Sequence, residues 1–277
     1  MRAAEINKTG GPEVIEIKDI KLDDPKSGEV TIKNEAIGLN YIDTYHRSGL
    51  YPVQLPSGIG LEGAGIIEKI GPEVKDFEVG DRVAYASMPI GSYSTHRIFP
   101  TKKLIRVPSE IDLENVVTLM TKGFTVFYLL HKTYPVKSGD TILFHAAAGG
   151  VGQIFCQWAK SLCCTVIGTV GSDEKISIAK ANGCDHVINY SKENFAEKVK
   201  EITNGVGVPV VYDGVGKKTF DGSIECLKVT AQIDAKFLVI SGKPINEEIA
   251  RGGPFVMNTK AEILQAVQDY HNGTFVK

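Results

Sequence analysis

Apolar and polar positions are patterned differently in the two parts of the chain. Through residues 1–108, short apolar runs such as EVTIKNEAIGL and GAGIIEKIG are cut by Gly10-Gly11-Pro12, Gly71-Pro72 and Gly80-Asp81. Runs this short, separated by turn residues, predict β-strands in a compact barrel-like domain. After Pro108 the spacing lengthens, and LENVVTLMTKGFTVFYLLHKTY carries apolar residues at helical intervals. From Lys137 onward the two patterns alternate. Strands are predicted over 141–146, 165–170, 186–190, 209–216 and 236–241, and helices over 151–162, 173–183, 193–205 and 218–228. Such alternation builds a parallel sheet with helices on both faces. The fold class is therefore α/β, a β-barrel domain joined to a doubly wound parallel sheet.

The first strand-to-helix turn of that sheet, HAAAGGVGQIFCQW, raises its own question. Residues 141–159 contain no Asp, Glu, Lys or Arg, a pattern that a membrane span would also show. His145, Gln153 and Gln157 interrupt it, however, and Gly149, Gly150 and Gly152 cluster at its centre, so a spanning helix would expose polar groups to lipid at mid-depth. No membrane segment is predicted. The turn reads Ala147-x-Gly149-x-x-Gly152, a dinucleotide fingerprint with alanine in place of its first glycine. Gly149 lets the backbone approach a pyrophosphate, and Gly152 lets the helix pack on its strand. Gly150 and Val151 stand where the turn enters the helix, whose free N–H groups favour an anion.

The second strand selects between nucleotides. NAD binding calls for a carboxylate at its tip, but that place holds Gly171, followed by Ser172, Asp173, Glu174 and Lys175. Glycine leaves room for a 2′-phosphate, Ser172 can donate to it and Lys175 can supply charge. The pattern favours NADP. The alternative is that Ser172 caps a helix and Lys175 is a surface lysine, and Asp173 counts mildly against a phosphate.

Composition narrows the classes further. The chain has 277 residues, 43% hydrophobic and 23% charged, with net charge −2 and no long basic run, so nucleic acid is not an expected partner. Five cysteines, Cys156, Cys163, Cys164, Cys184 and Cys226, form no CxxC pair, which predicts reduced thiols and a cytoplasmic setting. The start, MRAAEINKTGGPEV, lacks the apolar stretch of a secretory signal. The six histidines show no metal-ligand spacing, and His46 and His145 read as packing or hydrogen-bonding residues.

The segments AIGLNYIDTYHRSGLYP, GLEGAGIIEKIG, GDRVAY, TKGFTVFYLL, FHAAAGGVG and QWAKSLCCTVIGTVGS closely resemble NADPH-dependent quinone oxidoreductases. These form the zeta-crystallin-like, zinc-free branch of the medium-chain dehydrogenase/reductase superfamily. The resemblance implies a GroES-like catalytic domain over 1–122 and a Rossmann domain over 123–242, with 243–277 a shortened C-terminal segment. It fades after Lys228, and counterparts of the closing strands are not expected beyond that residue. In zinc-bearing relatives a Cys ligand stands in the segment matching GLNYID and a His in that matching GLEGAG. Here those places hold Asn40 and Leu61, neither of them a zinc ligand, so no metal is expected.

Site roles come from the same resemblance. Asn40, Asp43, Tyr45 and Tyr51 are expected at the substrate cleft, with Tyr41 and Thr44 beside the nicotinamide. Thr125 and Tyr128 are expected to touch the cofactor, with Tyr190 near the adenosine phosphate and Gly214 near the ribose. Tyr45 and Tyr51 could equally be half-buried packing aromatics, and Asp43 a loop-stabilising carboxylate. The implied substrate is a small-molecule quinone, reduced by hydride or electron transfer from NADPH. Reduction of an enal or enone C=C bond is the alternative, and a crystallin-like or RNA-binding role stands outside enzymology. A homodimer is expected through the edge strand KFLVIS, 236–241, whose exposed apolar alternation needs a partner.

Overall fold

The computed structural model describes residues 1–228, 250–252 and 255–257 of the chain. Its first compact unit runs from Met1 to Phe237. The N-terminal part is built of β1 (Arg2–Ile6), β2 (Ile15–Asp19), β3 (Glu29–Gly38), α1 (Tyr41–Ser48), β4 (Ser57–Gly58), β5 (Glu62–Ile70), β6 (Arg82–Ala86), β7 (His96–Pro100) and β8 (Ile105–Arg106). Its strands form two antiparallel sheets, ordered β2-β1-β4 and β7-β3-β5-β6-β8. Backbone hydrogen bonds from Ala4 N–H to the Tyr93 carbonyl and from Thr95 N–H to the Arg2 carbonyl join them. The alternation seen in EVTIKNEAIGL is that of β3, which turns Val30 and Ile32 inward onto Ile67, Val83, Tyr85 and Phe99.

One helix links this part to the next. α2 (Leu113–Tyr128) packs Leu113 and Val117 against the alanines of β3, β5 and β6, while Val126 lies in the core of the following sheet. The expected boundary between residues 122 and 123 thus falls inside a continuous helix that serves both sides. A π-helical turn, Leu129–Thr133, ends it.

Strand and helix then alternate: β9 (Thr141–Phe144), α3 (Gly150–Ser161), β10 (Thr165–Val170), α4 (Glu174–Ala181), β11 (His186–Asn189), α5 (Phe195–Ile202), β12 (Val211–Tyr212) and α6 (Phe220–Glu225). The sheet is parallel, in the order β11-β10-β9-β12. The chain steps outward from β9 to β11 and then returns to the other side of β9. That reversal is a topological switch point, where open α/β sheets bind ligands at the strands' carboxyl ends. The turns after β9 and after β12 flank it.

The predicted strand over 209–216 is cut to Val211–Tyr212 because Asp213 folds the next residues into a turn. One of its carboxylate oxygens accepts the N–H groups of Val215 and Gly216 and the Thr219 hydroxyl, each at 2.9 Å. The helices over 173–183, 193–205 and 218–228 likewise prove shorter at both ends, with glycine at positions 183 and 205 in the left-handed region. The strand KFLVIS lies outside the described residues. The second unit, Leu238–Lys277, contains an antiparallel pair, β13 (Ala250–Gly252) with β14 (Phe255–Met257). No helix among the described residues is long and apolar enough to cross a membrane.

Candidate active site

The glycine turn is built by close packing. A Cβ placed on Gly152 would lie 2.5 Å from the Ala146 carbonyl oxygen and 2.6 Å from that of Ala147, so only glycine lets α3 sit this near the end of β9. Ala146 itself adopts the left-handed conformation, with φ of 56°. Gly149 is the residue before the helix, and no side chain caps it. The first-turn N–H groups of Gly150, Val151 and Gly152 have no partner within an α-helix, which makes them donors for a phosphate.

The second strand ends beside an aromatic hydroxyl. A Cβ on Gly171 would lie 3.0 Å from the Tyr190 hydroxyl, and the Gly171 carbonyl accepts the Ser191 hydroxyl at 2.9 Å. The structure therefore brings Gly171, Ser172 and Tyr190 together, with Lys175 exposed in the first turn of α4. Asp173, the residue that counts against a phosphate, is held by Lys192 and by the Asn189 amide at 2.7 Å. Those contacts hold its carboxyl below the usual carboxylate range, the Lys192 contact first. Nothing in the local sequence pattern points to Lys192 or Asn189. Gly214 has open space beside it in the turn after β12.

Behind these turns lies a buried polar chain. The His145 ring meets the Thr169 hydroxyl at 2.7 Å through Nδ1 and the Ser223 hydroxyl at 2.9 Å through Nε2. Ser223 in turn donates to the second oxygen of Asp213 at 2.7 Å. Burial lowers the pKa of His145, with the Asp213 charge opposing, which favours a neutral ring with one N–H and one acceptor. This chain fixes the two turns at the switch point to each other.

The catalytic-domain side is the segment from Asn40 to Tyr51. Asn40, only 6% exposed, precedes α1. Its side-chain amide donates to the fully buried Glu62 and, at 3.5 Å, to the Thr121 hydroxyl. Lys122 donates to the Asn40 side-chain oxygen and to the Leu39 carbonyl, both at 3.2 Å. The other Glu62 oxygen accepts the Thr121 N–H at 2.7 Å. Asn40 thus bridges a carboxylate and an ammonium, which only an amide with its nitrogen toward Glu62 can do. Glu62, Thr121 and Lys122 complete a cluster of which sequence reasoning placed only Asn40 in the site.

Asp43 is committed to the loop. One of its oxygens accepts the Asn40 N–H at 3.0 Å and the Tyr93 hydroxyl at 2.8 Å. Burial, reinforced by the Asp43 carboxylate, pushes the Tyr93 hydroxyl far above its ordinary range, so it stays a donor. The geometry favours the loop-stabilising alternative for Asp43. Thr44 donates to the Tyr41 carbonyl at 2.7 Å. Three tyrosines form a ladder: Tyr41 meets Tyr45 edge-on at 5.3 Å, and Tyr45 meets Tyr51 at 5.3 Å. Tyr41, at the outer end of the ladder, is 76% exposed. Burial, with the neighbouring tyrosines adding to it, raises the Tyr45 pKa, so its hydroxyl can donate at neutral pH. On α2, Thr125 bonds to the Thr121 carbonyl at 2.8 Å, and Tyr128 stands 40% exposed.

Comparison with known proteins adds the lineage. Residues 26–109 match the family described as alcohol dehydrogenase GroES-like domain, and residues 150–261 match that described as zinc-binding dehydrogenase. A quinone oxidoreductase of Pseudomonas aeruginosa is 53% identical over 219 residues, covering 79% of this chain and 67% of that one. The chain belongs to the quinone oxidoreductase family of the medium-chain dehydrogenases/reductases. Other similar family members include the 2-haloacrylate reductase of a Burkholderia species, 49% identical over 82% of this chain and 70% of its own length. Among solved structures, the Escherichia coli quinone oxidoreductase complexed with NADPH superposes with a TM-score of 0.80 at 48% identity, covering 82% of this chain and 70% of that one.

Proposed function

We propose that this chain is a zinc-independent NADPH:quinone oxidoreductase of the cytoplasm, working as a homodimer. The observation that carries the reading is that Lys122 packs its stem against Gly150 and hydrogen-bonds Leu39 and Asn40. A Cβ on Gly150 would lie 3.0 Å from Lys122 Cε, so Lys122 joins the phosphate-binding turn to the segment leading into the tyrosine ladder.

The residues present fit an NADP nucleotide. The N–H groups of Gly150, Val151 and Gly152 would hold the pyrophosphate, and Ser172, Lys175 and Tyr190 would surround the 2′-phosphate beside Gly171. Gly214, Thr125 and Tyr128 would line the remainder. Bound NADPH supplies the electrons, as hydride or singly. The tyrosines Tyr41, Tyr45 and Tyr51 suit a planar acceptor, through stacking and hydroxyl donation. Asn40 and Leu61 support independence from zinc, because neither is a ligand that zinc prefers. The relatives named quinone oxidoreductase support the acceptor class.

Five unpaired cysteines, four of them buried and only Cys163 exposed, support a reducing compartment. The dimer rests on the resemblance and on KFLVIS, which lies outside the described residues.

The likeness to a 2-haloacrylate reductase favours one second reading, NADPH-dependent reduction of an activated C=C bond. NADPH oxidation assayed in parallel with 1,4-benzoquinone and with a 2-alkenal separates the two. Turnover with the quinone alone, or much the faster with it, supports the proposal. Turnover confined to the alkenal replaces it with the second reading.

A further inference from the structure

Lys122 is a cation in an unusual setting. It is half-buried, and among the described residues it stands within ion-pair distance of no carboxylate. Its two hydrogen-bond partners, the Leu39 carbonyl and the Asn40 side-chain oxygen, are uncharged. Glu62, the carboxylate bound by the same Asn40 side chain, is already occupied by the Asn40 amide and the Thr121 N–H. An ammonium has three N–H groups, so one remains after these two bonds.

The side chain is also pinned along its length. Its Cδ and Cε lie 3.2 and 3.0 Å from where a Cβ on Gly150 would be, and a larger residue there would displace it. Stem and head therefore face different things: the stem lies on the phosphate-binding turn, the charge on the segment that leads into Tyr41 and Tyr45. A half-buried charge without a counterion is poised for an anion that forms during the reaction.

We infer that the Lys122 ammonium faces the quinone oxygen and stabilises the negative charge that builds there during reduction. This rests on the quinone reading of the site. Two electrons and one proton leave NADPH and enter the quinone, giving NADP⁺ and a hydroquinone monoanion. Lys122 donates its remaining N–H to that oxyanion, and a proton from water completes the hydroquinone. Asn40 is the positioning residue, holding the ammonium away from Glu62 so that the charge is not quenched.

The test uses the full-length protein with Lys122→Met, which keeps a stem of similar shape, and Lys122→Arg, which keeps the charge. Three quantities are read: NADPH affinity by cofactor fluorescence, binding of 4-nitrophenolate against neutral nitrobenzene, and kcat and KM for the quinone. Lys122→Met is expected to keep NADPH affinity, lose about tenfold in 4-nitrophenolate affinity but none for nitrobenzene, and lose about 10- to 100-fold in kcat. Lys122→Arg should recover part of both losses. Unchanged phenolate binding in a folded Lys122→Met protein overturns the inference. So does a loss confined to NADPH, which would make Lys122 a phosphate ligand. Where Lys122→Met lowers the melting temperature severely, Lys122→Gln, which keeps a donor for Leu39, takes its place under the same criteria. Wild-type protein that reduces no quinone defeats the proposed function instead, whatever the phenolate result.

Discussion

Gly168 on β10 faces Ala147 in the glycine turn, and a Cβ at position 168 would lie 2.7 Å from the Ala147 methyl. The methyl that replaces the first glycine of the fingerprint is thus accommodated by a glycine on the neighbouring strand. Ala147 is fully buried, so neither group can move into solvent. Gly168→Ala is expected to cost about 1–3 kcal/mol by overpacking. Ala147→Gly combined with it should recover part of that loss, but not all, since the Cys184 sulfur also stands 2.6 Å from the added carbon. Urea denaturation of the two variants checks this. With Ala147→Gly alone completing the cycle, a double-variant loss equal to the sum of the two single losses would show that the positions are not coupled.

Cofactor choice is expected to reside in the turn after β10. Lys175 is exposed, so its contact with a 2′-phosphate is worth about 1–3 kcal/mol at most, or roughly 5- to 150-fold in affinity. Lys175→Ala should raise KM for NADPH by that factor and leave NADH nearly unchanged, and added salt should narrow the difference between the cofactors. Lys192→Ala tests the same site from the other side. It frees Asp173 from its partner and should weaken NADPH more than NADH, because an uncompensated carboxylate then faces the phosphate. Steady-state kinetics with both cofactors decides. Equal weakening of both by Lys175→Ala would make it a plain surface lysine.

Most of the doubly wound sheet could be read along the chain because buried parallel strands are short apolar runs and glycine punctuates their ends. TVIGTV became β10 without change, and the helices lost only their frayed ends. The overlong strand 209–216 ignored Asp213, whose carboxylate organises a turn as Asp-Gly signals commonly do. Asn40 was legible through the family motif, but Lys122 was not. A lysine within a helix reads as surface, and its partner Asn40 lies 82 positions away. The Tyr93 hydroxyl that donates to Asp43 likewise lies 50 positions on. Partners at such separations leave no periodic signal.

Acid should destabilise the protein before its carboxylates titrate. His145 and His46 are both buried, and burial lowers the pKa of each, with Asp213 and Asp43 respectively opposing. The folded state resists protonation while the unfolded chain protonates near the ordinary value of 6.5. Their contribution is therefore fully present above that value and is lost as pH falls below it toward the folded pKa. Unfolding free energy measured by urea should fall as pH drops below about 6.5, with a limiting slope of about 1.4 kcal/mol per pH unit for each histidine. His145→Asn should lower stability at neutral pH, by removing bonds to Thr169 and Ser223, yet flatten the slope by up to one histidine's share. An unchanged slope would mean that His145 titrates alike in both states.

Exhaustive chelation should leave quinone reduction intact. The expectation rests on the residues that occupy the two places carrying ligands in zinc-bearing relatives. Asn40 spends its amide nitrogen on Glu62 and its oxygen on Lys122, and Leu61 has no donor atom at all. A divalent cation placed there would have to displace an ammonium, and among the described residues no cluster of His, Cys, Asp and Glu could hold it. Dialysis against a strong chelator, followed by elemental analysis and assay with NADPH and quinone, is expected to give metal-free protein with full activity. Zinc added back should not raise it. Stoichiometric zinc that survives purification, with activity lost on chelation and restored by zinc, would refute this reading of Asn40 and Leu61.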